Sequence, residues 1–473
     1  MEYKEKWSKL LNGSRRRPST ATQTAHRNNF DEDIDRIISS SSIRRLQDKA
    51  QVFPLQENDF TRTRLTHSIE VSGIARSLGN AISNYLLEKG DIEEDQIAKL
   101  QSLLYVAGLI HDLGNPPFGH FGEEIIKRYF KECLEQEKFV ELNMVEKNDF
   151  INFDGNAQTL RITTRLQYLT DEFGMNLTSG TLSSLVKYPY SSDECPKNKD
   201  GETYQKFGYF QDDIDCYNWV RSQTGLQGNA RNPLTYLLEA ADDIAWIFSD
   251  IEDGIKKGLI NWELEYGIIR SRIKDESFLS LFEKINKANE VYKQNEIENK
   301  NQYRYMQFKI RAQSKMILDV IEAFREHYKE IMDNDEFSNL ENDSEYRSLI
   351  QVSASKIMFN ELKRILKQYC YPSREIILLQ LAANNVLTTL LDVFVDAVIK
   401  EDDIFNTNGK NIDQKILLLL SDNFKQVLKI SCEKAKEKPT MYQKLLLVTD
   451  FISGMTDTYA LTLYKKMVGD RIV

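Results

Sequence analysis

Apolar residues recur three or four positions apart through most of the chain, which is the spacing of an amphipathic helix. One such helix is predicted over residues 67–89. Its apolar face consists of Val71, Ile74, Leu78, Ile82 and Leu86. A second helix is predicted over residues 95–112, and its apolar face consists of Leu100, Leu104, Ala107 and His111. The pattern therefore predicts an all-α fold that contains at most a small β-hairpin.

Changes in this pattern divide the chain into three parts. Residues 1–30 show little periodicity and are predicted to form an N-terminal arm, whose basic run at 15–17 is either solvated or functional. Residues 31–285 are predicted to form the core, with an irregular insertion at about 140–232. Residues 302–473 are mostly helical in pattern and are predicted to pack on that core as a C-terminal helical region.

The charge balance limits the kind of partner that the whole surface attracts. The 473 residues carry a formal net charge of −10. General attraction to nucleic acid or to an anionic membrane is therefore not expected, and an anionic ligand needs a local basic pocket. Single-stranded DNA and a nucleotide effector remain open as partners only through such a pocket.

Cysteine usage and hydropathy bear on the compartment. The five cysteines are scattered without CxxC spacing, which is typical of a reducing compartment and predicts no structural zinc site. The N-terminus is polar, and asparagines interrupt the most apolar segment, residues 376–387, so that a buried helix is predicted there. We expect a cytoplasmic protein with no membrane partner.

The candidate chemistry is concentrated in residues 108–123. An apolar run ends in the adjacent pair His111 and Asp112, a bend rich in glycine and proline follows, and then come His120 and Glu123. The chain has only five histidines, and two of them lie in this short stretch. We therefore predict an active site at this bend.

A metal site is predicted from the other acidic and imidazole groups on helices. His67 begins one predicted helix, and Asp242 and Asp243 lie within another. Buried groups of these types are costly unless they are paired or bind a metal. Two histidines and two aspartates suit Mn or Mg, with Fe, Co, Ni and Zn as alternatives. Taken singly, a histidine at a helix start and an Asp-Asp step are more often structural, so the evidence rests on the combination.

Four stretches together carry a family resemblance. They are residues 44–54 (RRLQDKAQVFP), 62–71 (RTRLTHSIEV), 111–120 (HDLGNPPFGH) and 239–244 (EAADDI). The chain resembles the HD-domain metallophosphohydrolases and, within them, the bacterial deoxyguanosine triphosphate triphosphohydrolases (dGTPases). A weaker match at 450–457 extends the resemblance to the C-terminal region. Residues 31–285 would then be the HD-domain catalytic core.

The resemblance implies a ligand set for one divalent metal ion. The implied ligands are His67, His111, Asp112 and Asp242, with Asp243 as the alternative to Asp242. Asp242, Trp246 and Asp250 are four residues apart in turn and share one helix face. In the family the position of Trp246 is typically a tyrosine that packs on the nucleoside, while Asp250 accepts a hydrogen bond from the sugar. Trp246 departs from that pattern and lacks the phenol oxygen.

The resemblance also implies roles in catalysis and substrate binding. His120 and Glu123 would be the catalytic pair, with Glu123 orienting the imidazole; the alternative is that Glu123 only interacts with the helix dipole. Gln51 would contact the deoxyribose. Arg64 and Lys187 would bind phosphate, with Tyr188 nearby. Further candidate cations are Arg44, Arg45, Lys49 and Arg62.

The implied reaction is hydrolysis of dGTP to deoxyguanosine and inorganic triphosphate, by attack of a metal-activated water on the α-phosphorus. Family members are typically homo-oligomers, and we expect the same here. Two alternatives remain open at this stage. One is an enzyme of broader specificity, acting on several dNTPs or on other nucleotides. The other is a nucleic-acid-binding or regulatory protein that keeps the HD core.

Overall fold

The computed structural model describes residues 3–18, 27–55, 58–167, 171–195, 206–293, 299–333, 348–405 and 408–470, with the backbone alone for 290–293. Within these ranges every regular element is helical, so the predicted all-α fold is confirmed. The described residues contain no strand, and an isolated antiparallel bridge joins Ala50 to Thr63. The small hairpin that the sequence allowed is therefore not formed in them.

The α-helices are numbered in chain order. The first ten are α1 (Lys4–Leu10), α2 (Asn29–Ile38), α3 (Ser41–Arg45), α4 (Arg64–Lys89), α5 (Glu94–Ile110), α6 (Gly119–Cys133), α7 (Met144–Ile151), α8 (Gly155–Arg161), α9 (Ser179–Leu185) and α10 (Ile214–Thr224). The next five are α11 (Pro233–Lys256), α12 (Trp262–Arg272), α13 (Glu276–Lys293), α14 (Lys300–Glu326) and α15 (Tyr328–Asp333). The last seven are α16 (Leu349–Val352), α17 (Lys356–Ile365), α18 (Arg374–Lys400), α19 (Ile412–Leu417), α20 (Asp422–Ala435), α21 (Met441–Ser453) and α22 (Asp457–Met467).

Three long helices, α4, α5 and α11, form the centre of the core. Helix α4 packs along α5, and α11 packs against both. Local sequence fixes their ends: a capping box at Thr63 and Thr66 begins α4, and Gly90 ends it in the left-handed conformation. Asn232 caps α11, whose first residue is Pro233. These caps fix where α4 and α11 begin, and so fix the positions of the polar side chains that these helices direct toward each other.

The N-terminal segment packs on the core. Trp7 in α1 is fully buried, and its indole Nε1 donates to the Tyr328 hydroxyl at 2.8 Å. Arg15 is buried as well and pairs with the buried carboxylate of Asp33. Arg17 pairs with Asp171 at 2.5 Å, so two arginines of the basic run have a structural partner. His26 and its neighbours lie outside the described residues, and the division at residue 30 stays a prediction.

A buried ion cluster joins the C-terminal helices to the core. Arg161 at the end of α8 donates to both oxygens of Asp450 in α21, at 2.8 and 2.9 Å, and also pairs with Asp212 and Asp213. Gln158 donates to the same Asp450 carboxylate at 2.9 Å. Breaking one partner of such a buried cluster typically costs about 3–5 kcal/mol. The C-terminal helices are thus anchored to α8, beside the bend that follows α5.

Helix α18 is the one helix of the described residues that is long and apolar enough, by length and composition, to cross a membrane. One such helix is weak evidence, because core helices of soluble proteins pass the same test. The sequence predicted a buried helix, and α18 is buried on one side only. Its inner side packs on α6, α19, α21 and α22. Its outer side exposes Ile377, Leu378 and Leu381.

Candidate active site

Three core helices bring the predicted metal ligands together. His67 lies in the first turn of α4, His111 directly follows α5, and Asp242 lies in the middle of α11. The Nε2 atom of His67 is 3.0 Å from Oδ1 of Asp242, and Nε2 of His111 is 3.4 Å from the same oxygen. Asp112 Oδ1 is 3.6 Å from His111 Nε2. The four groups predicted from the sequence therefore lie in one cluster.

The cluster has the donor set and spacing of a cation site. His111 Nδ1 donates to the Gly108 carbonyl at 2.8 Å, which leaves Nε2 as the acceptor. That Nε2 is buried and has no hydrogen-bond partner among the described residues. A divalent ion with ligands at about 2.1 Å places neighbouring ligand atoms about 3 Å apart, close to the separations seen here. His67, His111 and Asp112 thus fit a metal ion, and Asp242 lies beside them.

Positive groups around the cluster keep its carboxylates ionised. Burial alone would raise the pKa of Asp112, but Arg64 holds it well below its usual range, and the two histidines add to this effect only while they are protonated. Arg64 Nη1 donates to Asp112 Oδ2 at 2.5 Å. His111, while it is protonated, and Lys187 likewise lower the pKa of Asp242 against the effect of burial. Both carboxylates are therefore anionic at neutral pH, as metal ligands must be.

The two neighbouring aspartates of α11 face different partners. Asp242 faces the histidines, whereas Asp243 Oδ1 accepts a hydrogen bond from the indole Nε1 of Trp246 at 3.1 Å. Burial and the adjacent Asp242 raise the pKa of Asp243 to about 7. Only Asp242 is thus arranged as an anionic ligand, which supports the choice between the two that the family resemblance favours.

A bend after α5 positions His120 and Glu123. Phe118 and Gly119 both have left-handed backbone conformations, with φ of 63° and 61°. Gly119 is needed for space as well, because a Cβ atom there would lie 2.5 Å from Nη2 of Arg64. The reversal starts α6, in which His120 is the second residue and Glu123 the fifth, so that the two side chains lie about one turn apart on the same side of the helix.

The pair consists of one exposed and one buried side chain. The His120 side chain is 79% exposed and that of Glu123 is 7% exposed. His120 Nδ1 lies 3.2 Å from Glu123 Oε2, and Glu123 Oε1 accepts the Gly155 N–H at 2.8 Å. Burial opposes ionisation, but the hydrogen bond and charge of His120 lower the pKa of Glu123 to about 2. Glu123 is thus a fixed anion that can orient the imidazole and hold its proton on Nδ1.

One cavity of about 450 Å³ adjoins the cluster. All six residues predicted to bind substrate line it: Gln51, Arg64, Lys187, Tyr188, Trp246 and Asp250. His111, Asp112, Asp242, His120 and Glu123 line it as well. His67 lies behind this wall, fully buried. The structure thus brings the predicted site residues together, while their roles stay predictions.

Two residues that line the cavity, Gln51 and Asp250, have properties that favour hydrogen bonding to a ligand. The Oε1 atom of Gln51 is buried without a hydrogen-bond partner among the described residues. Such an atom is costly to leave unpaired, so a ligand donor there is favourable. Burial and the neighbouring Asp253 raise the pKa of Asp250 well above its usual range. A protonated Asp250 can both donate to and accept from a hydroxyl.

The additional cations suggested by the sequence have other partners. Arg62 pairs with Glu70, Glu252 and Asp253, at 2.8–3.1 Å. Lys49 is buried and donates to main-chain carbonyls of Asn115 and Ser453. Arg44 and Arg45 donate to the carbonyls of Ser39 and Gly454. None of the four lines the cavity, so the structure does not support them as phosphate ligands.

Sequence reasoning missed Lys206 and the contribution of α18. Lys206 lines the cavity, with Nζ 5.7 Å from the ring centroid of Tyr188. It follows a polar run that carries no motif, so only the fold places it near the site. Part of the cavity wall comes from α18 and the segment before it: Tyr371, Ile376, Leu379, Gln380 and Ala383. Their three- and four-residue spacing was visible, but it is equally typical of a core helix.

Comparison with known proteins is consistent with this geometry. The family model "HD domain" matches residues 64–153, which include His67, the His111–Asp112 pair, His120 and Glu123. A second model, "Phosphohydrolase-associated domain", matches residues 351–466, which include α18 and Asp450. The fold and the cluster therefore define an HD-domain phosphohydrolase, a class that implies a divalent metal ion.

Relatives that match nearly the whole chain identify the family within the HD-domain phosphohydrolases. The chain is 39% identical over 477 residues to a "Deoxyguanosinetriphosphate triphosphohydrolase-like protein" of Listeria monocytogenes, covering 98% of this chain and 99% of that one. It is 30% identical to a protein of the same description from Synechocystis, with the same coverage. It is 27% identical over 93% of both chains to a "Deoxyguanosinetriphosphate triphosphohydrolase" of Yersinia pseudotuberculosis. The chain belongs to the deoxyguanosinetriphosphate triphosphohydrolase family.

Proposed function

We propose that this protein hydrolyses dGTP, or dNTPs more broadly, to the deoxynucleoside and inorganic triphosphate. The observation that carries the proposal is the cavity that joins the metal cluster, His120 and three basic side chains. Water attacks the α-phosphorus, the bond from that phosphorus to the nucleoside 5′-oxygen breaks, and the 5′-oxygen takes up a proton. The family membership and the description of the Yersinia relative support the same reaction.

His67, His111, Asp112 and Asp242 would hold the metal ion, for which Mn and Mg are the first candidates. A divalent ion at this site supplies polarisation of a phosphoryl oxygen and a lower pKa for water. The protein's part is to keep the ligands deprotonated. Arg64 and Lys187 do so through their contacts with Asp112, at 2.5 Å, and Asp242, at 3.4 Å.

In this proposal, His120 is the residue that moves a proton. Its imidazole projects into the cavity, while the ionised carboxylate of Glu123 fixes Nδ1 as the protonated nitrogen. Nε2 is then directed toward the substrate, where it can address the α-phosphate or the attacking water. In the serine protease triad, too, a buried carboxylate orients the catalytic histidine and fixes its tautomer.

The phosphate chain needs positive charge beyond the metal. Lys187 and Lys206 line the cavity. Burial lowers the pKa of Lys187, but Asp242 and Glu239 raise it above its usual value. Tyr188, followed by the carboxylates of Asp154 and Glu123, raises the pKa of Lys206 against the effect of burial. Arg64 serves chiefly as the partner of Asp112, and its Nε atom is buried without a partner among the described residues. Phosphoryl transfer depends mainly on such positioning and charge stabilisation.

The sugar would lie between Gln51, Trp246 and Asp250. Gln51 offers the unpaired Oε1, and Asp250 offers a carboxyl that can bond a 3′-hydroxyl. The Trp246 ring is held by two contacts, the hydrogen bond to Asp243 and an edge-to-face contact with Phe359 at 5.6 Å. A rigid indole packed on the 2′-carbon leaves no partner for a 2′-hydroxyl, which disfavours ribonucleotides.

The test is a product assay with purified full-length protein. dATP, dCTP, dGTP, dTTP and GTP are supplied with Mg or Mn, and triphosphate, pyrophosphate and orthophosphate are separated by ion chromatography. We expect triphosphate from dGTP at the highest rate and little from GTP. Orthophosphate or pyrophosphate as the first product would refute the reaction. Equal rates with all four dNTPs would keep the reaction and remove the guanine preference.

Self-association and an effector site for single-stranded DNA or a nucleotide stay predictions. Light scattering would measure the first. For the second, salt-dependent binding of a labelled DNA strand without nucleotide turnover would favour the regulatory alternative over an enzyme.

A further inference from the structure

A carboxylate from the C-terminal region holds the main chain beside the active site. Asp457 is the first residue of α22 and is buried. Its Oδ1 accepts the N–H of Phe118 at 2.9 Å, and its Oδ2 accepts the N–H of Ala50 at 3.0 Å. The two donors lie far from Asp457 in sequence and far from each other. One side chain therefore ties three separate segments together.

Each of the two N–H groups belongs to a segment that carries a cavity residue. Phe118 has a left-handed backbone and stands two positions before His120. A non-glycine residue keeps this conformation only where its surroundings enforce it, and the bond to Asp457 is one such restraint. Ala50 precedes Gln51, which lines the cavity and whose buried Oε1 has no hydrogen-bond partner among the described residues.

Lys49 makes a second connection between the same regions. Its Nζ donates to the Asn115 carbonyl at 2.5 Å and to the Ser453 carbonyl at 2.8 Å. Its own carbonyl accepts the N–H of Arg64 at 2.9 Å. The Lys49 side chain is buried, and burial lowers its pKa to about 7. Burial also raises the pKa of Asp457, and the two backbone hydrogen bonds and the nearby Lys49 act against this rise. Lys49 was a candidate phosphate ligand by sequence, yet these hydrogen bonds all join it to main chain.

Asp450 is a useful comparison, because it joins the C-terminal helices to the core without contacting the main chain beside the cavity. It is also buried and also belongs to the C-terminal helices, but its partners are the side chains of Arg161 and Gln158. It does not line the cavity. Asp450 thus joins the same two regions without holding a residue next to His120 or Gln51.

We propose that Asp457 is a positioning residue for hydrolysis, which sets His120 against Gln51 by fixing the backbone at Phe118 and Ala50. The inference rests on the proposed function and assigns a task within it to the C-terminal region. The bend between the metal ligands and His120 depends on a residue that lies more than three hundred positions further along the chain. Without the carboxylate, the buried N–H of Phe118 and the partly buried N–H of Ala50 lose their acceptor, and the bend can relax.

The test compares Asp457→Asn with the matched control Asp450→Asn in the full-length protein. The side-chain amide of the Asp457→Asn variant keeps one acceptor and turns an NH₂ group toward the other N–H, so that one of the two bonds is lost. We expect kcat for triphosphate release to fall at least tenfold while the bound metal content stays that of the wild type. Asp450→Asn should lower the thermal midpoint yet keep kcat within twofold once folded.

Hydrogen–deuterium exchange gives a readout that does not depend on turnover. In Asp457→Asn, the peptide covering residues 112–121 should exchange faster than in the wild type and in Asp450→Asn. If Asp457→Asn does not fold, Asp457→Glu, which keeps the charge and displaces it by one methylene, takes its place with the same expectation of lower kcat. Wild-type kcat and wild-type exchange in the folded variant would overturn the inference. Equal loss of kcat in both aspartate variants would also overturn it, because anchoring alone would then explain the effect.

The wild-type measurements distinguish a failure of the proposed function from a failure of the proposed role of Asp457. A wild-type protein that releases no triphosphate from any dNTP refutes the proposed function, while the exchange experiment still tests the contact. A wild type that is active, beside an unaffected Asp457→Asn, refutes the positioning role alone.

Discussion

The two ends of the cavity are built in different ways. At the metal end, His67, His111 and Asp242 come from three long helices, and their partners are one another and adjacent charges. At the substrate end, His120 projects from a bend whose backbone is held by Asp457, and α18 forms part of the cavity wall. The metal end is thus specified by helix positions in the core. The substrate end depends on the distant C-terminal region, so the two should respond differently to substitution.

The largest effect is expected at the metal end. His111→Ala removes the unpaired Nε2 from the cluster, so we expect loss of bound metal and a fall in activity of about 10³-fold or more. Metal content is measured by plasma mass spectrometry and activity by triphosphate release. His327→Ala is the control, because His327 contacts Glu330 away from the cavity and should retain both. Full metal occupancy in His111→Ala would contradict the ligand assignment.

The adjacent aspartates give the second test within the metal end. Asp242→Asn removes the anion beside both histidines and should lower activity by about 10²-fold or more. Asp243→Asn should change it less than about threefold, because an amide oxygen still accepts from Trp246 and burial already favours the neutral form of Asp243. Reversed losses in the same assay would make Asp243 the ligand.

At the substrate end, activity should be lost without loss of metal. His120→Ala removes the exposed imidazole and is expected to lower kcat by about 10²–10⁴-fold, the range typical of a general acid or base. Its metal content should equal that of the wild type, in contrast to His111→Ala. Parallel loss of metal and activity would move His120 into the metal site and remove the distinction between the two ends.

The smallest effect is expected for Trp246, the aromatic side chain that lines the cavity beside the proposed sugar position. Trp246→Ala should lower kcat/KM for dGTP by about tenfold, mainly through KM, since stacking on a ring contributes about 1–3 kcal/mol. Trp246→Tyr keeps a ring but cannot reach Asp243 through an indole N–H, so a smaller loss is expected. The ratio of kcat/KM for dGTP over GTP is measured for both variants. An unchanged ratio in Trp246→Ala would mean that the ring does not select the sugar.

The sequence was informative where function follows from helical spacing. Helical spacing alone predicted that His111 lies on the apolar face of its helix. It also predicted that Asp242, Trp246 and Asp250 share one helix face, because α-helical geometry is local. The all-α fold followed from the same periodicity. The adjacent pair and the bend after it carried the family resemblance, which extended the prediction to His120 and Glu123.

The sequence was least informative about which charges face the cavity. Arg62 and Lys206 look equivalent along the chain, yet Arg62 is neutralised by three carboxylates whereas Lys206 lines the cavity. Asp457 stood in the weak match at 450–457 without any sign of its partners. These assignments depend on contacts over hundreds of residues, and periodicity contains no information about them.

The late position of Asp457 in the chain has a consequence for biosynthesis. A ribosome completes α4, α5 and α11 about 200 residues before it adds the carboxylate that holds Phe118 (the separation between the end of α11 at Lys256 and Asp457). All four predicted metal ligands are therefore synthesised before the residue that holds the bend carrying His120. Chains that terminate before that residue are expected to bind metal yet hydrolyse nucleotide poorly, which metal content and turnover of a truncated chain would measure.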